Sequence, residues 1–307
     1  MTEMTDSEKI SALYKRINSE HDISHDDVMS IAHAVDDRPW DAVRFAGMLR
    51  EDRFKDVIDP CSIINARSGN CPEDCAFCAQ SVHHDTGVST YPMLPERTIV
   101  EAARRAFGHG VRRFCIVTSG RGINSDGELT AIARCVEKIR DIGILPCATL
   151  GTLDSEQLGT LKDAGLHRYH HNIETSESFF PRICSTHSFE DRVGTVRHAT
   201  GAGLSPCSGV IVGMGESDDE LVDVAFSLHE LRPDSVPVNF LMPFEGTPLA
   251  GHVELSPAKC LRVLAMFRFV FPDVEVRIAG GRKMHLRSLQ PLGLHIANSI
   301  FVGDYLT

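Results

Sequence analysis

Three cysteines stand within eight residues in Cys71-Pro72-Glu73-Asp74-Cys75-Ala76-Phe77-Cys78, between Asn70 and Gln80. Thiols this dense suit either zinc or an iron-sulfur cluster. Structural zinc closes its shell with four ligands, usually as two pairs on separate knuckles, and the chain has no second Cys-x-x-Cys and no His pair at finger distance after the first. Three thiolates on one short loop can instead grip three irons of a 4Fe-4S cube. The fourth iron then stays open to bind a substrate or cofactor, which a four-thiolate electron carrier does not need. The spacing therefore points to a catalyst.

The rest of the composition narrows the class. The 307 residues carry 31 Lys+Arg against 42 Asp+Glu, a net charge of −11 with His neutral, and no run of five like charges. Such a surface offers no footprint for nucleic acid or an anionic membrane. The N-terminus is polar and acidic, without the pattern of a secretory or transit leader, and the expectation is a cytoplasmic protein. Apolar windows such as 263–271 are interrupted by Arg268, and none approaches the ~18 residues that span a bilayer. In a reducing compartment the 10 cysteines are expected as thiols or metal ligands.

The loop needs a frame. Residues 7–53 have amphipathic helical character, with Leu13, Tyr14 and Ile17, and later Ala42, Phe45, Ala46 and Leu49, at helical spacing. From there strand-like runs recur at 63–66, 113–118, 145–150, 169–174, 209–213, 236–241, 274–279 and 299–302. Helix-length amphipathic segments lie between them, at 128–141, 155–163, 189–203, 220–231 and 257–271, with glycine at several helix exits. Eight strands alternating with helices is the arithmetic of an α/β fold, a TIM-type (β/α)8 barrel, although a doubly wound open sheet shares the local grammar. The expectation is one domain over 1–307, a helical N-terminal extension at 1–54 followed by a barrel at 55–307.

The Cys-x3-Cys-x2-Cys loop after the first strand resembles that of the radical S-adenosylmethionine enzymes. Further segments resemble the biotin synthase family in particular, from about residue 63 to the C-terminus: Ser119-Gly120-Arg121-Gly122, the run 169–175 around His170-His171-Asn172, the run 206–216, Ser235-Val236-Pro237-Val238-Asn239, and the run 276–282. The resemblance implies a 4Fe-4S cluster on Cys71, Cys75 and Cys78 and S-adenosylmethionine as cofactor. The substrate would be dethiobiotin, converted to biotin by sulfur insertion. Cys115, Cys147 and Cys207, on the second, third and fifth strands, would each be read alone as a small core residue. In the family the matching residues hold an auxiliary 2Fe-2S cluster, with the arginine matching Arg277 as fourth ligand and a bridging sulfide as the sulfur source. Arg277 without that resemblance is an ion-paired barrel arginine.

The resemblance also assigns the Gly-x-Ile-x-Gly stretch of Gly209, Ile211 and Gly213, together with Phe77, to the adenine side of the cofactor. It gives Glu174, in place of an aspartate, to the ribose, and Asn172 and Asn239 to the cyclic urea of the substrate, whose carbonyl and N–H groups need both donor and acceptor. By residue type alone each asparagine is a backbone-capping strand end. Cys184 is expected either as an auxiliary ligand, competing with Arg277 or binding a larger cluster, or as a pocket-wall thiol, and Cys61, Cys135 and Cys260 as structural. One of His170 and His171 is expected to face the helices, because adjacent strand residues alternate. Thr307 is expected as a partial contact to the substrate carboxylate. Implied partners are a flavodoxin- or ferredoxin-type electron donor and a second copy in a homodimer. Another radical enzyme with a different small substrate, or a non-catalytic electron carrier, are the rival readings.

Overall fold

The computed structural model describes residues 5–20, 23–32, 39–252 and 255–303. Thr307 lies outside them. The chain runs α1 (Asp6–Glu20), α2 (His25–Ala32), α3 (Trp40–Phe54), β1 (Asp59–Arg67), α4 (Glu96–Gly108), β2 (Arg113–Thr118), α5 (Asp126–Ile142), β3 (Leu145–Thr149), α6 (Ser155–Asp163), β4 (Arg168–His170) and α7 (Phe189–Gly201). It continues through β5 (Ser205–Cys207), β6 (Val210–Val212), α8 (Asp218–Leu231), β7 (Ser235–Phe240), α9 (Pro257–Val270), β8 (Glu275–Ile278), α10 (Arg282–His285), α11 (Gln290–Ile296) and β9 (Ser299–Phe301).

All pairings between these strands are parallel, and the sheet closes on itself: β1 pairs with both β2 and β9, and β5 pairs with both β4 and β7. β5 and β6 are two pieces of one barrel strand, interrupted at Ser208 and Gly209. The result is the eight-position TIM-type barrel that the strand and helix alternation predicts. The helix starts follow from local chemistry. Asp154 with Gln157, and Ser188 with Asp191, form reciprocal capping boxes at α6 and α7, and Ser256 caps α9 just before Pro257.

The N-terminal helices pack outside the barrel, with α2 and α3 against α9. α9 is thereby covered on both sides, and every residue from Cys260 to Val270 is buried. That position explains the charge inside its apolar run. Arg268 has no exposed surface and donates to the carbonyls of Ile296 at 3.0 Å, Phe271 at 3.0 Å and Val274 at 2.9 Å, and to Asn298 Oδ1 at 2.6 Å. A guanidinium with several donors can be buried where so many acceptors converge. Cys260 and Cys135 are buried within α9 and α5, as structural thiols should be.

The inner floor of the barrel is ionic. Glu275 on β8 is bonded by Arg168 from β4 at 2.9 Å, lies 3.8 Å from Arg113 of β2, and pairs with Arg277 two residues along its own strand. Arg113 also holds Asp59 at 2.9 Å. Burial raises the Glu275 pKa, but Arg277, Arg168 and Arg113 outweigh it and hold the carboxyl down to about 2. A folded-state pKa below the ordinary 4.5 means that this carboxylate stabilises the fold fully above the carboxylate range and loses its contribution as pH falls from about 4.5 toward about 2. Glu275→Gln leaves three buried guanidiniums short of an anion and is expected to cost roughly 3–5 kcal/mol at pH 7, read from urea midpoints. The gap between wild type and variant should shrink below pH 4.5; an undiminished gap at pH 3 would mean that packing rather than charge is responsible.

Candidate radical cofactor and substrate chamber

The barrel encloses a cavity of about 340 Å³, within the range of roughly 300–1,000 Å³ of small-molecule sites. Its wall carries Cys71, Cys75, Phe77 and Cys78 from the loop after β1, and Cys115, Cys147, Cys207 and Arg277 from the strands. Asn172, Glu174, Ile211 and Asn239 line it too. Twelve of the fourteen residues singled out in the sequence thus share one chamber, while Gly209 and Gly213 are not on its wall. At Gly209 a Cβ would lie 1.9 Å from the Pro237 carbonyl oxygen, so glycine is required there for β7 to approach the broken strand.

The loop is shaped by its own backbone. Cys71 donates its N–H to Gln80 O at 3.0 Å and accepts from Val82 N at 2.9 Å, and Cys78 N bonds Cys75 O at 2.9 Å. It is also clipped to the segment after the short turn Phe180–Arg182. Ala76 N donates to Ile183 O at 2.8 Å, and Asp74 accepts from the N–H groups of Ser185 at 2.9 Å and Thr186 at 3.2 Å. The Ser185 hydroxyl also donates to Asp74. Although burial raises it, these bonds and one from Cys184 hold the Asp74 carboxyl well below the usual range. Beside it, Glu73 bonds His187, His187 accepts from Arg192 Nε at 3.0 Å, and Arg192 Nη1 reaches Asn172 O at 2.9 Å and Glu174 Oε1 at 3.3 Å. A polar chain therefore runs from the cysteine loop to the opposite wall.

Cys184 belongs to this chain. Its Sγ lies 3.9 Å from Cys75 Sγ, 3.2 Å from His187 Nδ1 and 3.2 Å from Asp74 Oδ1, and it is not on the chamber wall. Both expectations for it, an auxiliary ligand and a pocket-wall thiol, give way to a place behind the loop. Among the described residues, Cys75, Cys184 and His187 are the trio whose ligand atoms lie within 4.8 Å of one another. Cys71, Cys75 and Cys78 are more widely spread, as corners of a multi-iron cube require and a single ion does not. The donor set fits a cluster.

Deeper in the barrel, Arg277 donates from Nε to Ser299 Oγ at 2.9 Å, and its Nη1 lies 3.9 Å from Cys207 Sγ. The ion-paired arginine and the chamber arginine are one residue. His170 Nδ1 lies 3.2 Å from Cys207 Sγ. Burial alone would raise the Cys207 pKa, but His170, Arg277 and Arg168 outweigh it and bring the thiol down to about 6. Cys147 has no such neighbour in contact, and burial pushes it up to about 11.

Three features depart from the sequence reading. His170 and His171 both line the chamber, because β4 ends at His170 and strand alternation no longer applies to its neighbour. His171 Nε2 and Thr118 Oγ1 are buried without a hydrogen-bond partner and belong to wall residues, as a polar ligand would require. Cys61, expected to be merely structural, lies on the wall as well. β1 begins at Asp59 rather than at 63, so Cys61 is an inward strand residue in phase with Ile63 and Asn65. That period-two phase was the signal available for it. Asn172 and Asn239 do hold backbone, accepting from Gly209 N at 3.0 Å and Gly280 N at 2.9 Å, while remaining on the wall.

Residues 66–228 match the Radical SAM superfamily, and 237–307 the Biotin and Thiamin Synthesis associated domain. Curated biotin synthases of Streptomyces avermitilis and Geobacillus thermodenitrificans are 48% and 46% identical, over 92% and 96% of this chain and 74% and 89% of their own. The chain belongs to the biotin synthase family of the radical S-adenosylmethionine superfamily. A biotin synthase of Kocuria rhizophila is 48% identical over 93% of the chain, which spans 61% of that protein's length. Crystal structures of methylornithine synthase (PylB) and of the FeFe-hydrogenase maturase HydG from Carboxydothermus hydrogenoformans share the fold, with TM-scores of 0.82 and 0.81 at 18% and 17% identity. They cover 94% and 97% of this chain, which covers 85% and 71% of theirs. Superfamily membership implies a 4Fe-4S cluster and S-adenosylmethionine. For the loop that would carry that cluster, Asp74→Ala removes several bonds to a charged acceptor, each of about 1.5–3 kcal/mol. Amide hydrogen exchange over 71–78 should then accelerate at least about tenfold; unchanged exchange would mean that the Ala76–Ile183 bond and the Glu73–His187 pair hold the loop without Asp74.

Proposed function

We propose that this chain inserts sulfur into dethiobiotin to form biotin, the last step of biotin biosynthesis. The observation that carries the reading is one chamber with two separate sets of thiols, three on a rim loop and four on strands (Cys61, Cys115, Cys147 and Cys207), with amide side chains on the wall. Cys71, Cys75 and Cys78 would hold the 4Fe-4S cluster, and Cys115, Cys147, Cys207 and Arg277 an auxiliary 2Fe-2S cluster. When bound, the first supplies the electron that cleaves S-adenosylmethionine and the second supplies the sulfur.

The protein's part is placement and exclusion. Phe77 and Ile211 present apolar surface to the adenine, with Gly209 and Gly213 shaping the turn behind it. Glu174 accepts from the ribose hydroxyls while Arg192, 3.3 Å from its Oε1, keeps the side chain aimed. Asn172 accepts from Gly209 N and donates to Glu174, and Asn239 accepts from Gly280 N and donates to Val210 O, so each would meet a cyclic urea with the second lone pair of its oxygen and the second N–H of its nitrogen. His171 Nε2 offers a further polar contact. Enclosure by the barrel keeps water from reactive species. We also read 1–307 as a single working unit with 1–54 as its helical extension, acting in the cytoplasm as a homodimer with a flavodoxin- or ferredoxin-type electron donor. No described helix is long and apolar enough to cross a membrane.

The deciding measurement is iron and acid-labile sulfide on anaerobically reconstituted protein, with Mössbauer spectra before and after turnover with dethiobiotin, S-adenosylmethionine and a low-potential reductant. Two cluster types, the auxiliary one lost as biotin appears, are expected. Cys71→Ala should abolish cleavage of S-adenosylmethionine. Cys147→Ala should keep that cleavage and drop biotin formation to background. A Cys147→Ala protein that still makes product at the wild-type rate would move the chain to another radical reaction.

A further inference from the structure

The barrel's own register places Cys61 among the auxiliary ligands. Cys61 pairs with Arg113, and Arg113 with Leu145; two residues up the third strand is Cys147. Cys147 pairs with Arg168, and Arg168 with Ser205; two residues up the fifth strand is Cys207. Cys207 pairs with Ser235, and Ser235 with Glu275; two residues on is Arg277. Arg277 pairs with Ser299, and Ser299 with Asp59; two residues on is Cys61 again. In a barrel of this shear, side chains related in this way, one from each alternate strand, form a single inward layer at one height. Cys61, Cys147, Cys207 and Arg277 are that layer, and their exposures of 1%, 3%, 1% and 2% agree with it. Cys115 enters from the neighbouring even-strand set.

The layer thus offers three thiols and one guanidinium, and with Cys115 the site has four thiols. Four thiolates are the ordinary shell of a 2Fe-2S cluster. Arg277 is the poorer donor of the two candidates for the fourth place. It must lose a proton to ligate, and its Nη2 and Nε are already committed to Glu275 and Ser299 on the barrel floor. Cys61 has no such commitment: its Sγ makes only a weak 3.8 Å contact to the adjacent Ser62 carbonyl, and its side chain packs against Phe301 and Ile63.

We propose that Cys61 is a fifth donor of the auxiliary site, able to take the iron position that faces Arg277. The inference rests on the auxiliary cluster proposed above and gives this chain a redundant fourth ligand. Binding converts the thiol to a thiolate and releases one proton; no electron is transferred. A donor of this kind would keep iron in the layer when the arginine does not hold it.

Four reconstituted proteins test this: wild type, Cys61→Ser, Arg277→Lys, which keeps a cation beside Glu275, and the double variant. Iron and sulfide counts and Mössbauer spectra are the readouts, and the loop 4Fe-4S signal reports in each sample that the fold is intact. Arg277→Lys is expected to retain the auxiliary cluster with an all-sulfur iron environment. The double variant is expected to lose it, about two irons and two sulfides per chain, while keeping the loop cluster. An auxiliary cluster that survives in the double variant, or that is lost in Arg277→Lys alone, overturns the role of Cys61. A wild-type protein with one cluster type overturns instead the reading on which it rests.

Discussion

One buried carboxylate sets the terms for the interior. Glu275 holds guanidiniums from three barrel positions, Arg113, Arg168 and Arg277, in a space where an uncompensated charge would not be tolerated. Because the floor anchors Arg277 by two of its nitrogens, the third is left beside Cys207, and the same cations help His170 to lower that thiol's pKa. The electrostatic character of the thiol layer is thus inherited from the ionic layer beneath it. His170 contributes most to the lowering at Cys207, and the floor cations Arg277 and Arg168 add to it.

A second constraint links the rim to the wall. Glu73, His187, Arg192, Glu174 and Asn172 are joined in sequence by hydrogen bonds, so the loop that carries three thiols and the side chains facing the substrate space are not positioned independently. Glu174 adopts φ of +71°, a left-handed conformation that a glutamate does not choose without support. Its support is on both sides of the peptide: its N–H donates to Gly209 O, its carbonyl accepts from Ile211 N, and its carboxylate is held by Arg192. With that support the carboxylate faces the chamber just past the end of β4.

The periodic part of this architecture was legible in the sequence, because strand and helix alternation depends on burial patterns repeated over many residues. The α9 run 257–271 was also visible as a helix, but not its burial on both sides, which comes from helices more than 200 residues earlier in the chain. Residues whose role depends on where a strand starts or stops were the ones misread. Cys61 was lost by starting β1 at 63, and His171 by extending β4 beyond His170. Cys184 was placed with the auxiliary ligands or on the pocket wall, since its contact with Cys75 is made across 109 residues of sequence. Gly209 is a position where the backbone of β7 demands glycine whatever lies beside it, which the motif alone could not reveal.

The strand positions also fix an order of depth. Reading up the barrel from the ionic floor, Glu275 is followed by the layer of Cys61, Cys147, Cys207 and Arg277, then by Asn239 near the end of β7 and Asn172 just beyond β4, and last by the loop thiols after β1. The amides therefore stand between the two sets of thiols. A substrate held by them would be exposed to chemistry from the rim on one side and from the strands on the other. Substrate and rim cofactor, bound as proposed, would cover the strand thiols from the side opposite the charged floor. A ligand in that place would be part of the wall that keeps solvent from the strand thiols, so water would be excluded from them most fully when substrate is present.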